Sequence, residues 1–303
     1  MRFLTHFLLS VVGALALACA LSYPLFELLV PYAPHLRFDR LATRLFQLMI
    51  VIILIGLCRA HRINSREQFG LGANGRTFGA QLGRGWLLGI LSLAPVAVWI
   101  LAQQIRTFQS PESPFALAKL LGSALVTGWA VAWFEEVLFR GVLQKSLRPL
   151  FLSAWPTFLI LSAFFASVHF LSRTAIPAES VTPHSGWLLW QGLYASFLTP
   201  ERIVDALVAL FVVGVFLSWL TERSGTLALA IGTHAGWVTI IKLTIGLSTL
   251  SPAVTSLDGV NPQDGFVGWA VAVWSILLLI VLITEPKALG QWLYPERYST
   301  DRG

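Results

Sequence analysis

The chain has 303 residues, of which 56% are hydrophobic and 12% charged, and its formal net charge is +6 at neutral pH. Soluble domains carry about 25% charged residues, and no stretch here is hydrophilic enough to form one, so a soluble fold is excluded. The positive balance does not call for nucleic acid, because arginines in so apolar a chain act as topology determinants.

About 20 apolar residues cross a bilayer as a helix. Runs of this kind are centred on Phe7–Leu28, Arg44–Cys58, Gly85–Leu101, Phe115–Leu143, Pro156–Phe170, Val204–Leu220, Thr226–Leu247 and Phe266–Thr284. They predict an all-α, polytopic membrane helical bundle of about eight transmembrane helices. The first run reads as a retained helix rather than a signal peptide, since apolar residues continue past the Ala-Cys-Ala that precedes Leu21. The second is short and draws on flanking residues. Residues 1–110 then hold helices one to three and a basic loop, residues 111–250 helices four to seven, and residues 251–303 the last helix and a tail.

Lysines and arginines set orientation. Arg59, Arg62, Arg66, Arg76 and Arg84 lie between helices two and three, Lys145 and Arg148 follow helix four, and Lys287, Arg297 and Arg302 follow helix eight. The other side carries fewer, and both termini are predicted to be cytoplasmic. The segment Ser172–Arg202, with Trp187, Trp190 and Tyr194, falls outside as an interfacial piece. Cys19 and Cys58 lie in apolar runs without metal-ligand spacing, and no disulfide framework is predicted.

Helix four contains "WAVAWFEEVLFRGVLQ", Trp129 to Gln144. A carboxylate near the bilayer midplane costs at least about 2.5–3.5 kcal/mol, so Glu135, Glu136 and Arg140 need partners. Glu136 and Arg140, at i and i+4, are neighbours on one helical face. Glu135 is rotated by about 100° from Glu136 and is left as the working carboxylate. His169 and His234 lie in the fifth and seventh helices. At 1.5 Å per residue, Glu135, His169 and His234 stand roughly 18, 20 and 13 Å up their helices, a spread that tilts of about 20° absorb. Gly232 and Gly236 flank His234. They read either as a close-packing face that brings the imidazole to Glu135 or as ordinary glycines of a membrane helix.

Three patterns occur in order: Glu-Glu-x-x-x-Arg at Glu135, Glu136 and Arg140, Phe-x-x-x-His at Phe165 and His169, and a third starting at His234. Their order and spacing resemble the CPBP family of intramembrane proteases, which includes the CAAX prenyl endopeptidases and bacterial relatives once grouped with abortive-infection proteins. The resemblance covers roughly residues 115–250. It implies a glutamate-dependent endopeptidase of the bacterial cytoplasmic membrane, without a required metal or other cofactor. Its partners would be the bilayer and a membrane-associated protein or peptide substrate, for which a CAAX-type or lipidated protein is one class. By motif matching, Glu135 and His169 would hold and activate water, Glu136 and Arg140 would stabilise the site, and His234 would polarise the scissile carbonyl. The asparagine of the third motif falls on Val238, which leaves Thr233, Thr239, the Trp237 indole or His234 alone as donor.

Two other readings use the same residues. Glu135, His169 and His234 could ligate zinc with one position open for water, although the adjacent arginine repels a cation and no His-Glu-x-x-His helix is present. A transporter or peptide-binding membrane protein would also bury ionisable groups, but the paired broken helices of transporters are missing.

Overall fold

The computed structural model describes residues 2–63, 65–72, 74–171, 176–200, 203–251, 268–284, 287–293 and 295. In a bilayer, backbone polar groups must be satisfied within the segment, which leaves an apolar run little choice but a helix. The long helices are α1 (Arg2–Leu29), α2 (Phe38–Ala60), α3 (Gly75–Ala102), α4 (Pro114–Glu136), α6 (Trp155–His169), α8 (Val204–Ser224), α9 (Ala228–Gly246) and α10 (Gly268–Thr284). Shorter pieces are α5 (Lys145–Leu147), α7 (Ser185–Gly192) and α11 (Lys287–Leu293). Among the described residues six helical segments are long and apolar enough to span a membrane, and the expected fifth and eighth spans are present as shorter apolar helices. The protein is a polytopic helical membrane bundle.

Local chemistry sets several boundaries. Ser113 caps α4 by accepting from the Ala116 N–H at 3.1 Å, with Pro114 in the first turn, where its missing N–H costs nothing. Asn74 caps α3 in the same way, accepting from the Arg76 N–H. Gly225 ends α8 with φ of 70°, a left-handed turn that suits glycine. One element was not anticipated: β1 (Arg106–Phe108) pairs antiparallel with β2 (Ser248–Leu250). Strands of three residues are too short to show a period. Arg106 donates to the Ser248 hydroxyl at 2.8 Å and to its carbonyl at 2.9 Å.

The chain divides into two compact units, one of residues 1–64 and 168–201, the other of residues 65–167 and 202–303. In the first, α1 packs on α2 with Phe26 edge-on to Phe38 at 5.5 Å. Gly186 of α7 lies against the Cys19 carbonyl of α1, with no room for a Cβ. The described part of the segment expected at the interface therefore includes a short helix seated on α1, with Trp187 and Tyr194 exposed.

The second unit is built around α9, in which every residue from Ala228 to Trp237 is buried. It lies between α3 and α4. Gly85 and Gly89 of α3 face Gly232 and Gly236 of α9 so closely that a Cβ at any of the four would strike backbone of the other helix. With no hydrophobic drive between helices in lipid, such close van der Waals contact holds them together. The glycine pair beside His234 thus meets α3, not the glutamate helix. The approach of α4 to α9 instead uses Gly128, where a Cβ would lie 2.8 Å from the Ala235 carbonyl oxygen. His234, two residues from each glycine, points the other way. A short loop fixes the far ends of these helices: the Gly70 carbonyl accepts from the Leu227 N–H at 2.9 Å, and Lys145 donates to the Glu67 carbonyl at 2.8 Å.

Replacing Gly89 by Ala should strain the α3–α9 contact, because the new Cβ meets the Thr233 carbonyl. Overpacking costs about 1–3 kcal/mol. We expect a clear fall in melting temperature in detergent, while Gly83→Ala, where the added Cβ meets open space, leaves it unchanged.

Candidate active site

Helix four does not run on as an α-helix past the acidic pair. From Val137 to Gln144 it widens into a π-helix, a rare distortion that is frequent at functional sites. This stretch turns Arg140 and Gln144 towards α8, where they donate to the carbonyls of Gly214 and Ser218 at 3.1 and 3.2 Å.

Glu136 and Arg140 are both fully buried and bonded to each other, Nη1 to Oε1, at 3.0 Å. The same Glu136 Oε1 lies 2.8 Å from His234 Nδ1. One carboxylate oxygen thus receives the guanidinium and the imidazole together. Arg140 is held further by the Phe165 ring, 4.7 Å from its Cζ, a cation–π contact strengthened by desolvation. Glu136 Oε2 and Arg140 Nε are buried without a hydrogen-bond partner among the described residues. An ion pair this deeply buried is weak evidence for net stability, but removing one member leaves a buried charge uncompensated.

Glu135 occupies a different environment one residue earlier. Its side chain is 20% exposed against 0% for Glu136, and its Oε2 lies 3.9 Å from His234 Nε2. His234 therefore stands between the two carboxylates, one at each ring nitrogen. With Nδ1 donating to Glu136, Nε2 is the nitrogen left to face Glu135. The structure brings Glu135, Glu136, Arg140 and His234 together. His169 is the last residue of α6, one turn past Phe165, and is exposed.

The donors considered around Val238 are engaged elsewhere. The Trp237 indole donates to Ser92 Oγ at 2.8 Å, and the hydroxyls of Thr233 and Thr239 bond back to the carbonyls of Leu229 and Ala235. Of the four candidates, His234 is the one whose remaining ring nitrogen faces a carboxylate and no backbone. Among the described residues, no group of three or more His, Cys, Asp and Glu side chains is arranged to hold a metal ion. Two parts of the site were not anticipated as such. The Gly214 carbonyl carries no local signal, whereas Phe165 belongs to a legible pattern whose meaning as an arginine platform needed coordinates.

Residues 117–240 match the model of the family described as type II CAAX prenyl endopeptidase Rce1-like. No curated protein and no solved structure matches the chain. The matched stretch contains Glu135, Glu136, Arg140, His169 and His234. Residues 117–240 of this integral membrane protein thus match an Rce1-like type II CAAX prenyl endopeptidase model, a likeness consistent with the CPBP family that supports an intramembrane endopeptidase.

Proposed function

We propose that the protein is a glutamate-dependent endopeptidase that hydrolyses a peptide bond of a membrane-associated protein or peptide, with Glu135 as the base. The observation that carries this reading is the unequal setting of the two acids. Glu136 is committed to Arg140 and to His234 Nδ1, whereas Glu135 is the partly exposed carboxylate, within ion-pair range of Nε2 of the same ring.

Glu135 takes a proton from water, and the hydroxide adds to the scissile carbonyl carbon. Negative charge then develops on the carbonyl oxygen, where a preorganised donor acts most strongly. His234, protonated on both nitrogens, supplies that donor from Nε2, while Glu136 holds the ring through Nδ1. Glu135 returns its proton to the amide nitrogen as the carbon–nitrogen bond breaks, so a single carboxyl serves as base and then as acid. His169 joins Glu135 in holding the water, a role resting on the Phe-x-x-x-His motif. Arg140 and Glu136 act as positioning residues. The substrate class that suits the matched domain is a CAAX-type or otherwise lipidated chain, presented from the cytoplasmic side if both termini lie there, as the lysine and arginine distribution supports.

Glu135→Gln, purified and reconstituted with a prenylated CAAX-type reporter peptide, should lose at least about 10²-fold in cleavage rate with an unchanged thermal melt. Turnover close to that of the parent chain would remove Glu135 from its role. Arg140→Ala should behave differently, because it strands the buried Glu136 at a cost of about 3–5 kcal/mol. Poor expression and a lowered melting temperature are expected, measured in detergent without any substrate.

A further inference from the structure

Contacts of the π-helical segment and the turn that follows it with α8 repeat at a fixed interval. Arg140 donates to the Gly214 carbonyl, Gln144 to the Ser218 carbonyl, and Arg148 to the Glu222 carboxylate, each pair 74 residues apart. Successive rungs are one helical turn apart. The two segments therefore run alongside each other from the fully buried Arg140 to the Arg148–Glu222 pair, whose side chains are 35% and 39% exposed. Ser162 of α6 lies against the inner end of this seam: a Cβ on Gly214 would stand 2.8 Å from its Cβ and 2.9 Å from its hydroxyl.

Polar atoms accumulate along the seam without partners among the described residues: Arg140 Nε, Gln144 Oε1, Ser162 Oγ, Ser218 Oγ and Thr221 Oγ1. None of these residues is more than 6% exposed. Folded proteins leave few such atoms unsatisfied. Helical hydroxyls have a local remedy, which is to bond back to the carbonyl four residues earlier. Thr233, Thr239, Thr244 and Ser146 do so in this chain, whereas Ser162, Ser218 and Thr221 do not. The groups left over along the seam include a guanidinium donor, an amide acceptor and hydroxyls that serve as either. That mixture suits small molecules that both donate and accept, each touching two to four polar atoms, as buried water does.

We infer that the seam between the π-helical segment, α6 and α8 holds a file of ordered water leading from the Arg148–Glu222 end to the Glu136–Arg140 pair. Its inner terminus is Glu136 Oε2, which is buried and lacks a hydrogen-bond partner among the described residues. The use of this water rests on the proposed hydrolysis: each turnover consumes one water at a site enclosed by apolar helices, and the file replaces it. The existence of the file does not depend on that reading.

Single cysteines report on it directly. In a background with Cys19→Ala and Cys58→Ala, Ser218→Cys, Thr221→Cys and Ser162→Cys are each treated with silver ion, a water-borne thiol probe small enough for such a path. Protection from later alkylation in denaturant gives the rate. Ala230→Cys, fully buried in the apolar core shared by α3, α8 and α9, is the control. We expect the three seam thiols to react at least about tenfold faster than the control, as a wet rather than a dry interior requires. Seam thiols as inert as Ala230→Cys, or a control as reactive as the seam, would overturn the inference. For its role in turnover, Ser218→Val should lower kcat severalfold with KM unchanged, and an unchanged kcat would remove that role. Reactive seam thiols together with an active Glu135→Gln chain would leave the water file standing and refute the proposed base.

Discussion

A buried Glu136–Arg140 pair in a membrane helix constrains most of what surrounds it. Neither charge tolerates the apolar interior alone, so each must be met by fixed polar groups. The Gly214 carbonyl, His234 Nδ1 and the Phe165 face supply them from α8, α9 and α6. Four segments are thereby held in register around one carboxylate, and the π-helical widening after Glu136 lets the arginine reach α8 without leaving its own acid.

Holding the imidazole in place is the work of glycine. Helices associate in lipid by close backbone approach, and α9 achieves this on two sides, through Gly232 and Gly236 against α3 and through Gly128 against α4. A helix wedged in this way has little freedom to roll, so His234 keeps Nδ1 on Glu136 and Nε2 towards Glu135. Buried hydrogen bonds such as Trp237 to Ser92 pin it further. Under the proposed hydrolysis, the rigidity asked of a donor aimed at developing charge thus comes from helix packing.

The two adjacent acids are separated in environment by a rotation of one residue. Glu136 is fully buried and bonded on one oxygen to the guanidinium and the imidazole, while the Glu135 side chain is partly exposed and lies 3.9 Å from the ring it faces. With Val238 where the motif has asparagine, and with Thr233, Thr239 and Trp237 already partnered, the proposed hydrolysis assigns the donor role to His234.

Much of this was legible in the residues themselves. Apolar run length locates the helices, because lipid leaves the backbone no alternative, although α3 starts at Gly75, ahead of the apolar run at Gly85, and the i, i+4 spacing alone pairs Glu136 with Arg140 and sets Glu135 apart. Tertiary structure decided what spacing along one helix cannot encode. The sequence leaves open whether Gly232 and Gly236 form a packing face towards Glu135 or are ordinary glycines, and they pack against α3, because which helix fills a groove depends on the shape of both. The constant offset between the π-helical segment and α8, the Gly214 acceptor and the three-residue strands likewise arise from contacts between distant segments. Local sequence states which side chains need partners, and only the packed chain states where those partners are found.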